Sequence, residues 1–204
     1  MSNAKMLRLF VTVELPSEVH SALRQVVESR RESMAGSGLS GPGPFRWVSG
    51  EGFHLTLKFL GNVPAGRVPA VGDALVHTVA DHGPFDLELS RAGVLPDSRS
   101  PRVIWAGLAS DVGALVRLQE AVEPGLSALG FAPETRAFTP HLTLSRVRRR
   151  LAQDEQKRLK QTLERVETPK AQAFRVTEVG LLQSALLPSG AVYQRLREAA
   201  LRGG

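Results

Sequence analysis

The sequence predicts an α+β fold in which two antiparallel sheets face each other across a central cleft, with helices on their outer sides. Three observations lead to this prediction: segments whose pattern is typical of strands, segments of helical period between them, and one motif that occurs twice. The chain has 204 residues, of which 42% are hydrophobic, so it can bury a sizeable core. We predict one bilobal domain over residues 5–204 and interpret residues 1–4 as a cloning remnant.

Strands are predicted where apolar and polar residues alternate or where β-branched and aromatic residues gather. The clearest is 52–60, whose alternation assigns the even-numbered side chains, Lys58 among them, to the side opposite Phe53 and Phe59. The stretch 36–44 is rich in glycine and proline and is predicted to be a loop. The predicted strands are 6–15, 45–48, 52–60, 85–95, 102–108, 139–147, 174–187 and 192–196.

Four helices are predicted from apolar residues at helical spacing. Ser17 is expected to cap the first helix, which fades by residue 35, and Pro69 to open the second, which ends near residue 83. Asp111 is expected to cap the third helix, and Pro124 to kink or shorten it. The fourth helix covers residues 151–166 and carries many charges.

An internal duplication organises these elements. The segment 53–57, FHLTL, returns as 140–144, PHLTL, a displacement of 141 − 54 = 87 residues between the two histidines. After each copy we expect a helix and then a segment that begins with phenylalanine, Phe85 or Phe174. Two related halves are therefore predicted, each supplying one sheet, with the two motif strands facing each other across the cleft.

Charge and composition limit the function classes. The formal net charge is +6, which favours a polyanion such as RNA as the partner, and arginines that could steer its backbone are Arg46, Arg102, Arg148, Arg149 and Arg150. No cysteine is present, which excludes a disulfide framework, a thiol nucleophile, thiolate zinc sites and iron–sulfur ligation. The sequence predicts a cytoplasmic protein with no signal peptide and no membrane span.

The repeated His-x-Thr pattern predicts acid–base chemistry. Residues i and i+2 of a strand project from the same face, so His54 lies beside Thr56, and His141 beside Thr143. Histidine titrates near neutral pH, so of two histidines in one cleft one can accept a proton while the other donates one. Such catalysis needs neither a metal nor a covalent intermediate. A single copy would mean little, whereas two copies at matching places favour a functional site.

The two motifs resemble those of the 2H phosphoesterases. The segments FHLTLKFLG (53–61) and FTPHLTLSR (138–146) are most similar to the branch of RNA 2',3'-cyclic phosphodiesterases, or 2'-5' RNA ligases. The resemblance implies a bilobal α+β fold with pseudo-twofold symmetry and a water-filled cleft. It also implies cleavage of a terminal 2',3'-cyclic phosphate to a 2'-phosphate, reversible 2'-5' joining of tRNA halves, no metal or other cofactor, and a monomer.

The resemblance also implies roles for individual residues. His54 matches the proton donor to the departing ribose 3' oxygen, and His141 matches the acceptor that activates water. Thr56 and Thr143 match the residues whose hydroxyls hold phosphate oxygens, and Arg146 matches a phosphate-binding arginine. The pseudo-symmetry of the sequence alone cannot distinguish donor from acceptor.

Two of the basic candidates depend on strand alternation. Arg146 shares a side with Leu142 and Leu144, so it reaches the cleft only if the strand twists or ends before it. Lys58 shares the parity of His54 and Thr56 and is therefore a candidate for the cleft wall.

Other residues are weaker candidates. Rings that could stack on a nucleobase are those of Phe45, Trp47, Trp105 and Tyr193. The remaining histidines, which do not repeat and lack partners at metal-binding spacing, are interpreted as surface positions: His20, His77 and His82. Two alternatives to RNA hydrolysis stay open, an RNA-end binding protein with little catalysis and a 2H enzyme for a small cyclic nucleotide such as ADP-ribose 1'',2''-cyclic phosphate.

Overall fold

The computed structural model describes residues 5–36, 43–49, 52–165, 173–187 and 190–203. Within these ranges every predicted strand and helix has a counterpart, and the predicted loop 36–44 falls mostly outside them. The strands are β1 Met6–Val13, β2 Phe45–Trp47, β3 Leu55–Pro64, β4 Phe85–Leu95, β5 Val103–Ser110, β6 Leu142–Val147, β7 Ala173–Val176, β8 Glu178–Leu187 and β9 Gly190–Ala200. The helices are α1 Ser17–Gly36, α2 Val68–Val79, α3 Val112–Ser127 and α4 Gln153–Arg165.

The strands form two antiparallel sheets, as predicted. The four-stranded sheet has the order β3-β1-β8-β9, and the five-stranded sheet has the order β2-β6-β5-β4-β7. Helix α2 contacts α3, and α1 contacts α4, so the helices lie in two pairs. The α+β fold class is therefore confirmed.

The prediction that each half of the chain supplies its own sheet is wrong. The four-stranded sheet combines β1 and β3 with β8 and β9 from the end of the chain, and β2 joins the five-stranded sheet. The predicted strand 174–187 is divided at Thr177, where the chain passes from β7 in one sheet to β8 in the other. Each sheet therefore contains strands from both halves of the chain.

The match between Phe85 and Phe174 is also wrong. Their strands, β4 and β7, are neighbours in one sheet, with Leu87 opposite Phe174. The true counterpart of β4 is β8, because each lies beside the central strand of its sheet. Gly93 of β4 and Gly180 of β8 occupy equivalent places, and 180 − 93 = 87 is again the displacement of the motifs.

One face of each central strand is packed against the core. In β1, four alternating apolar side chains, Leu7, Leu9, Val11 and Val13, are buried, whereas Arg8 on the other face is exposed. Helix α3 continues through Pro124 to Ser127, so of the two expected effects of the proline, a kink or an early end, the helix does not end at Pro124. No helix in the described part of the chain is long and apolar enough to cross a membrane.

Candidate active site

The two motifs occupy equivalent positions in the two sheets. His54 directly precedes β3 and Thr56 is its second residue, just as His141 directly precedes β6 and Thr143 is its second residue. All four residues are half-buried. Each motif strand is the neighbour of a central strand, β1 in one sheet and β5 in the other. The duplication seen in the sequence is therefore a duplication of place in the fold.

The first motif strand contains a β-bulge directly after its threonine. Thr56 lies opposite Thr12 of β1, but Lys58 lies opposite Val11, so Leu57 is an extra residue in the pairing. A bulge of this kind reverses the alternation of the residues that follow it.

The second motif strand contains the same bulge 87 residues later. Thr143 lies opposite Trp105 of β5 and Ser145 opposite Ile104, so Leu144 is the extra residue. Both copies of the motif thus share a backbone irregularity that alternation alone does not reveal.

The bulges decide which side chains share the face of the threonines. Lys58 and Ser145 turn to the packed face and are buried, with exposures of 4% and 0%. Phe59 and Arg146 turn to the face of the threonines and are exposed, Phe59 to 61%. The predicted sides of Lys58, Phe59 and Arg146 are therefore all reversed.

Lys58 does not line the cleft. Its Nζ donates to Oε2 of Glu123 in α3 at 2.5 Å and to the carbonyl oxygen of Ala132 at 2.9 Å. The same carboxylate accepts from Nε2 of Gln119 and from the backbone N–H of Glu134. Lys58 is therefore part of a buried polar network that ties β3 to α3.

Arg146 reaches the other sheet electrostatically. It belongs to β6, yet its positive charge contributes to lowering the pKa of His54, which precedes β3 of the opposite sheet. Burial raises the pKa of Tyr193 in β9, and Arg146 acts in the opposite direction on that group too. The second motif strand therefore carries a charge that acts on the histidine of the first.

The surroundings of His54 favour its neutral form. Burial, and then the charge of Arg146, lowers its pKa to about 4. The carbonyl of Gly52, two residues earlier, acts in the opposite direction, although the buried Nδ1 makes no hydrogen bond of good geometry with it. His20 in α1 also lowers this pKa, and its own ring is buried, 6.1 Å from that of Phe53. His20 is thus not the surface position that the sequence suggested.

His141 is oriented by its own backbone. Its Nδ1 lies 2.7 Å from the carbonyl oxygen of Thr139, the residue equivalent to Gly52 in the first copy. An imidazole that donates from Nδ1 to a carbonyl leaves the lone pair of Nε2 free to accept a proton. The contact therefore favours the tautomer that a general base needs.

Aromatic rings pack against both histidines. The His54 ring has its centroid 4.8 Å from that of Phe10 and 4.8 Å from that of Tyr193. The ring of Trp105 lies 6.4 Å from that of His141, edge to face. The sequence analysis missed Phe10, although a phenylalanine on the polar face of β1 was the signal that could have found it.

A glycine makes room for the Trp105 indole. A Cβ at Gly93, opposite Trp105 in β4, would lie 2.6 Å from the nearest ring carbon. Of the four rings proposed for base stacking, Trp105 and Tyr193 are therefore beside the motifs. Phe45 and Trp47 are not, because they lie opposite Val147 and Ser145 on the packed face.

Other candidates lie apart from the motifs. Arg149 forms a two-pronged ion pair with Glu155 at 2.6 and 2.7 Å, which lowers the pKa of Glu155 to about 2. His77 is exposed and His82 half-buried. In the ranges that the structure covers, no three His, Cys, Asp or Glu side chains are grouped to hold a metal ion.

Comparison with known proteins identifies the family. The family model of the 2'-5' RNA ligase superfamily matches residues 44–186, more than half of the chain and both motifs. The chain belongs to the 2'-5' RNA ligase superfamily. This confirms the family that the two motifs predicted.

Curated relatives agree with this assignment. The RNA 2',3'-cyclic phosphodiesterase of Aeropyrum pernix is 32% identical over 170 residues, covering 82% of this chain and 90% of the relative. The protein of the same name from Thermus thermophilus is 34% identical over 209 aligned positions, covering 97% and 91%. The predicted enzyme class, a hydrolase of phosphoric diesters, is consistent with the names of these superfamily members.

Solved structures share the fold over nearly the whole length. A protein of Thermus thermophilus superimposes with a TM-score of 0.73 at 27% identity, covering 97% of this chain and 99% of the other. E. coli LigT complexed with 3'-AMP superimposes with a TM-score of 0.70 at 26% identity and the same coverage. The fold is therefore common to this superfamily chain and its structural neighbours.

Proposed function

We propose that this protein hydrolyses the terminal 2',3'-cyclic phosphate of RNA to a 2'-phosphate, without a metal, by acid–base catalysis with two histidines. One observation carries the proposal: equivalent His-x-Thr sites begin equivalent strands of the two sheets, and Arg146 of the second acts electrostatically on His54 of the first. The names of the curated relatives support the same substrate class. The proposal extends to RNA ends such as tRNA halves, to reversible 2'-5' joining, and to a cytoplasmic monomer.

The reaction balances with these residues alone. His141 accepts a proton from water, and the water oxygen forms a bond to phosphorus. The bond from phosphorus to the ribose 3' oxygen breaks, and His54 gives its proton to that oxygen, leaving a 3'-hydroxyl and a 2'-phosphate. The resemblance assigns donor and acceptor, and the Nδ1 contact of His141 with a carbonyl supports its part as the base.

The threonines and Arg146 are assigned to the phosphate. Hydroxyls of Thr56 and Thr143 donate to the non-bridging oxygens, whose negative charge grows as phosphorus becomes five-coordinate. Arg146 carries a guanidinium on the face of Thr143, which suits the same oxygens. These groups are fixed by strands, so little reorganisation is needed when the charge develops.

Substrate binding changes the protonation of His54. Burial and the charge of Arg146 lower the pKa of His54 to about 4, which keeps its imidazole neutral at pH 7. A phosphodiester is an anion, so its arrival beside His54 favours the imidazolium and raises this pKa. The donor is therefore charged by the substrate on which it acts.

Product analysis tests the proposal. Incubation with a nucleoside 2',3'-cyclic phosphate in the presence of EDTA is expected to yield only the 2'-phosphate, resolved from the 3'-phosphate by chromatography. A 3'-phosphate product would contradict the assigned leaving oxygen.

Three other results would favour an alternative. Loss of turnover on chelation, with recovery on adding a divalent ion, would contradict metal-independent chemistry. Binding of cyclic-phosphate RNA without any product would favour the RNA-end binding protein. Efficient turnover of ADP-ribose 1'',2''-cyclic phosphate, unaffected by competing RNA, would favour the small-nucleotide enzyme.

A further inference from the structure

Two arginines lie directly opposite each other near the second motif. Arg46 of β2 pairs with Arg146 of β6, and antiparallel partners project from the same face of a sheet. Both side chains therefore share the face of Thr143, and both are exposed. Like charges in opposite positions destabilise a sheet, so this pair has a cost that packing does not explain.

A third arginine faces them from the other sheet. Arg8 of β1 lies two residues before Phe10 and four before Thr12, on the same face of the strand, and it is exposed. Phe10 packs against Tyr193 with ring centroids 5.6 Å apart, and Tyr193 packs against His54. Arg8 is therefore on the wall of the four-stranded sheet that carries the first motif.

All three arginines lie near enough to Tyr193 to act on its charge. Each of them, Arg146 first and then Arg46 and Arg8, acts to lower the pKa of this phenol, which burial raises. Among the residues that the structure describes, none of the three forms an ion pair with a carboxylate. Lys58 and Arg149, by contrast, both hold carboxylates, so the charge of the three arginines is not taken up in the same way within the described residues.

We propose that Arg8, Arg46 and Tyr193, next to Arg146, form a second phosphate subsite, which takes the phosphodiester on the 5' side of the terminal nucleotide. This inference rests on the proposed function, because it requires the terminal cyclic phosphate to lie between His54 and His141. A guanidinium group can donate two parallel hydrogen bonds to two oxygens of one phosphate, and the Tyr193 hydroxyl can donate a further hydrogen bond. The preferred substrate is therefore a polynucleotide end rather than a cyclic mononucleotide.

Two substrates test the subsite. The ratio of kcat/KM for a dinucleotide with a terminal 2',3'-cyclic phosphate to that for a cyclic mononucleotide is expected to exceed one. In Arg46→Gln and Arg8→Gln this ratio is expected to fall by about tenfold each, since a charge-assisted hydrogen bond contributes about that factor. Arg117→Gln, which removes the same charge from the exposed face of α3, is expected to leave the ratio unchanged. Melting curves show that each variant is folded.

A neutral linkage identifies the source of the bound phosphate. A dinucleotide whose internal linkage is a methylphosphonate is expected to lose the advantage over the mononucleotide, and Arg46→Gln to reduce it no further. Full activity of this substrate, or an equal fall for both substrates in the arginine variants, would overturn the subsite. An unchanged ratio of the two kcat/KM values in the arginine variants would also overturn the subsite.

Binding separates the subsite from the proposed function. If the wild-type protein turns over neither substrate, the proposed function fails. The subsite is then tested separately by binding. The affinity for a dinucleotide ending in a 2'-phosphate is measured by calorimetry at fixed salt and compared with that for the mononucleotide. Tighter binding than that of the mononucleotide, lost in Arg46→Gln and kept in Arg117→Gln, supports it, and equal binding of the two ligands overturns it.

Discussion

The two His-x-Thr sites have the same backbone and different surroundings. Each begins a strand, each is followed by a bulge, and each histidine is influenced by the backbone of the residue two positions before it. His54, however, packs against both Phe10 and Tyr193, whereas His141 lies beside Trp105 and bonds the carbonyl of Thr139. The duplication thus explains why the two histidines occupy equivalent positions, whereas the side chains around each histidine make their environments different.

The residues after the bulges differ in the same way. At equivalent places, the first copy has a buried lysine and an exposed phenylalanine, and the second has a buried serine and an exposed arginine. The charges of the two copies therefore lie on opposite faces of their sheets: Lys58 holds Glu123 on the packed face, and Arg146 lies on the face of Thr143 and acts on His54.

Removing either histidine is expected to have the largest effect. His54→Ala and His141→Ala should each lower kcat for a 2',3'-cyclic nucleotide by roughly 10²- to 10⁴-fold, because each removes one proton transfer. The double variant should be little worse than either single variant, since the two groups act as a unit. His77→Ala, an exposed histidine in α2, is the control. If the loss of kcat in the double variant equals the product of the two single losses, the histidines do not act together in one reaction.

The two buried residues after the bulges are expected to differ in their effect on stability. Lys58→Met leaves the half-buried Glu123 without its cation and should lower the free energy of unfolding by about 1–3 kcal/mol. Ser145→Ala should change it by less than about 0.5 kcal/mol, because the buried Ser145 hydroxyl has no hydrogen-bond partner in the described structure. Urea unfolding measures both. Equal losses would contradict the different roles assigned to the two places.

The threonines are expected to be equivalent. Thr56→Val and Thr143→Val keep the side-chain shape and remove one phosphate-directed hydroxyl each, so kcat/KM should fall by about 10- to 100-fold in both. Thr78→Val in α2 serves as the control. A loss in one variant alone would assign the phosphate to one sheet and contradict a shared site.

The charge of Arg146 is expected to govern the titration of His54. Arg146→Gln removes a cation that disfavours the imidazolium, so the pKa of His54 should rise from about 4, while staying below 6.5 because burial remains. The limb of the kcat/KM profile that reports the titration of His54 should move to higher pH in parallel. Arg136→Gln, an exposed residue paired with Glu134, should leave this limb in place. NMR titration of the His54 ring measures the shift directly, and a fall or no change would contradict the assigned neighbourhood.

The sequence predicted the fold class, the elements and the motif residues, because alternation, helical period and repetition are local or direct signals. The sequence did not predict which face of the sheet Arg146 and Lys58 occupy. One extra residue in the strand pairing reverses the alternation of the side chains without changing the composition of the strand. The exchange of strands between halves was also hidden: it depends on which strands pair, and β4 and β7 both begin near a phenylalanine. Tertiary pairing, not local pattern, decides both points.

The central claim is that His54 and His141, from two sheets, hold one phosphate. Titration with a nucleoside 2'-phosphate, followed by NMR of both imidazole rings, tests it most directly. We expect both rings to shift together with a single dissociation constant and one ligand per chain. A shift of one ring alone, or two rings with different constants, would contradict it.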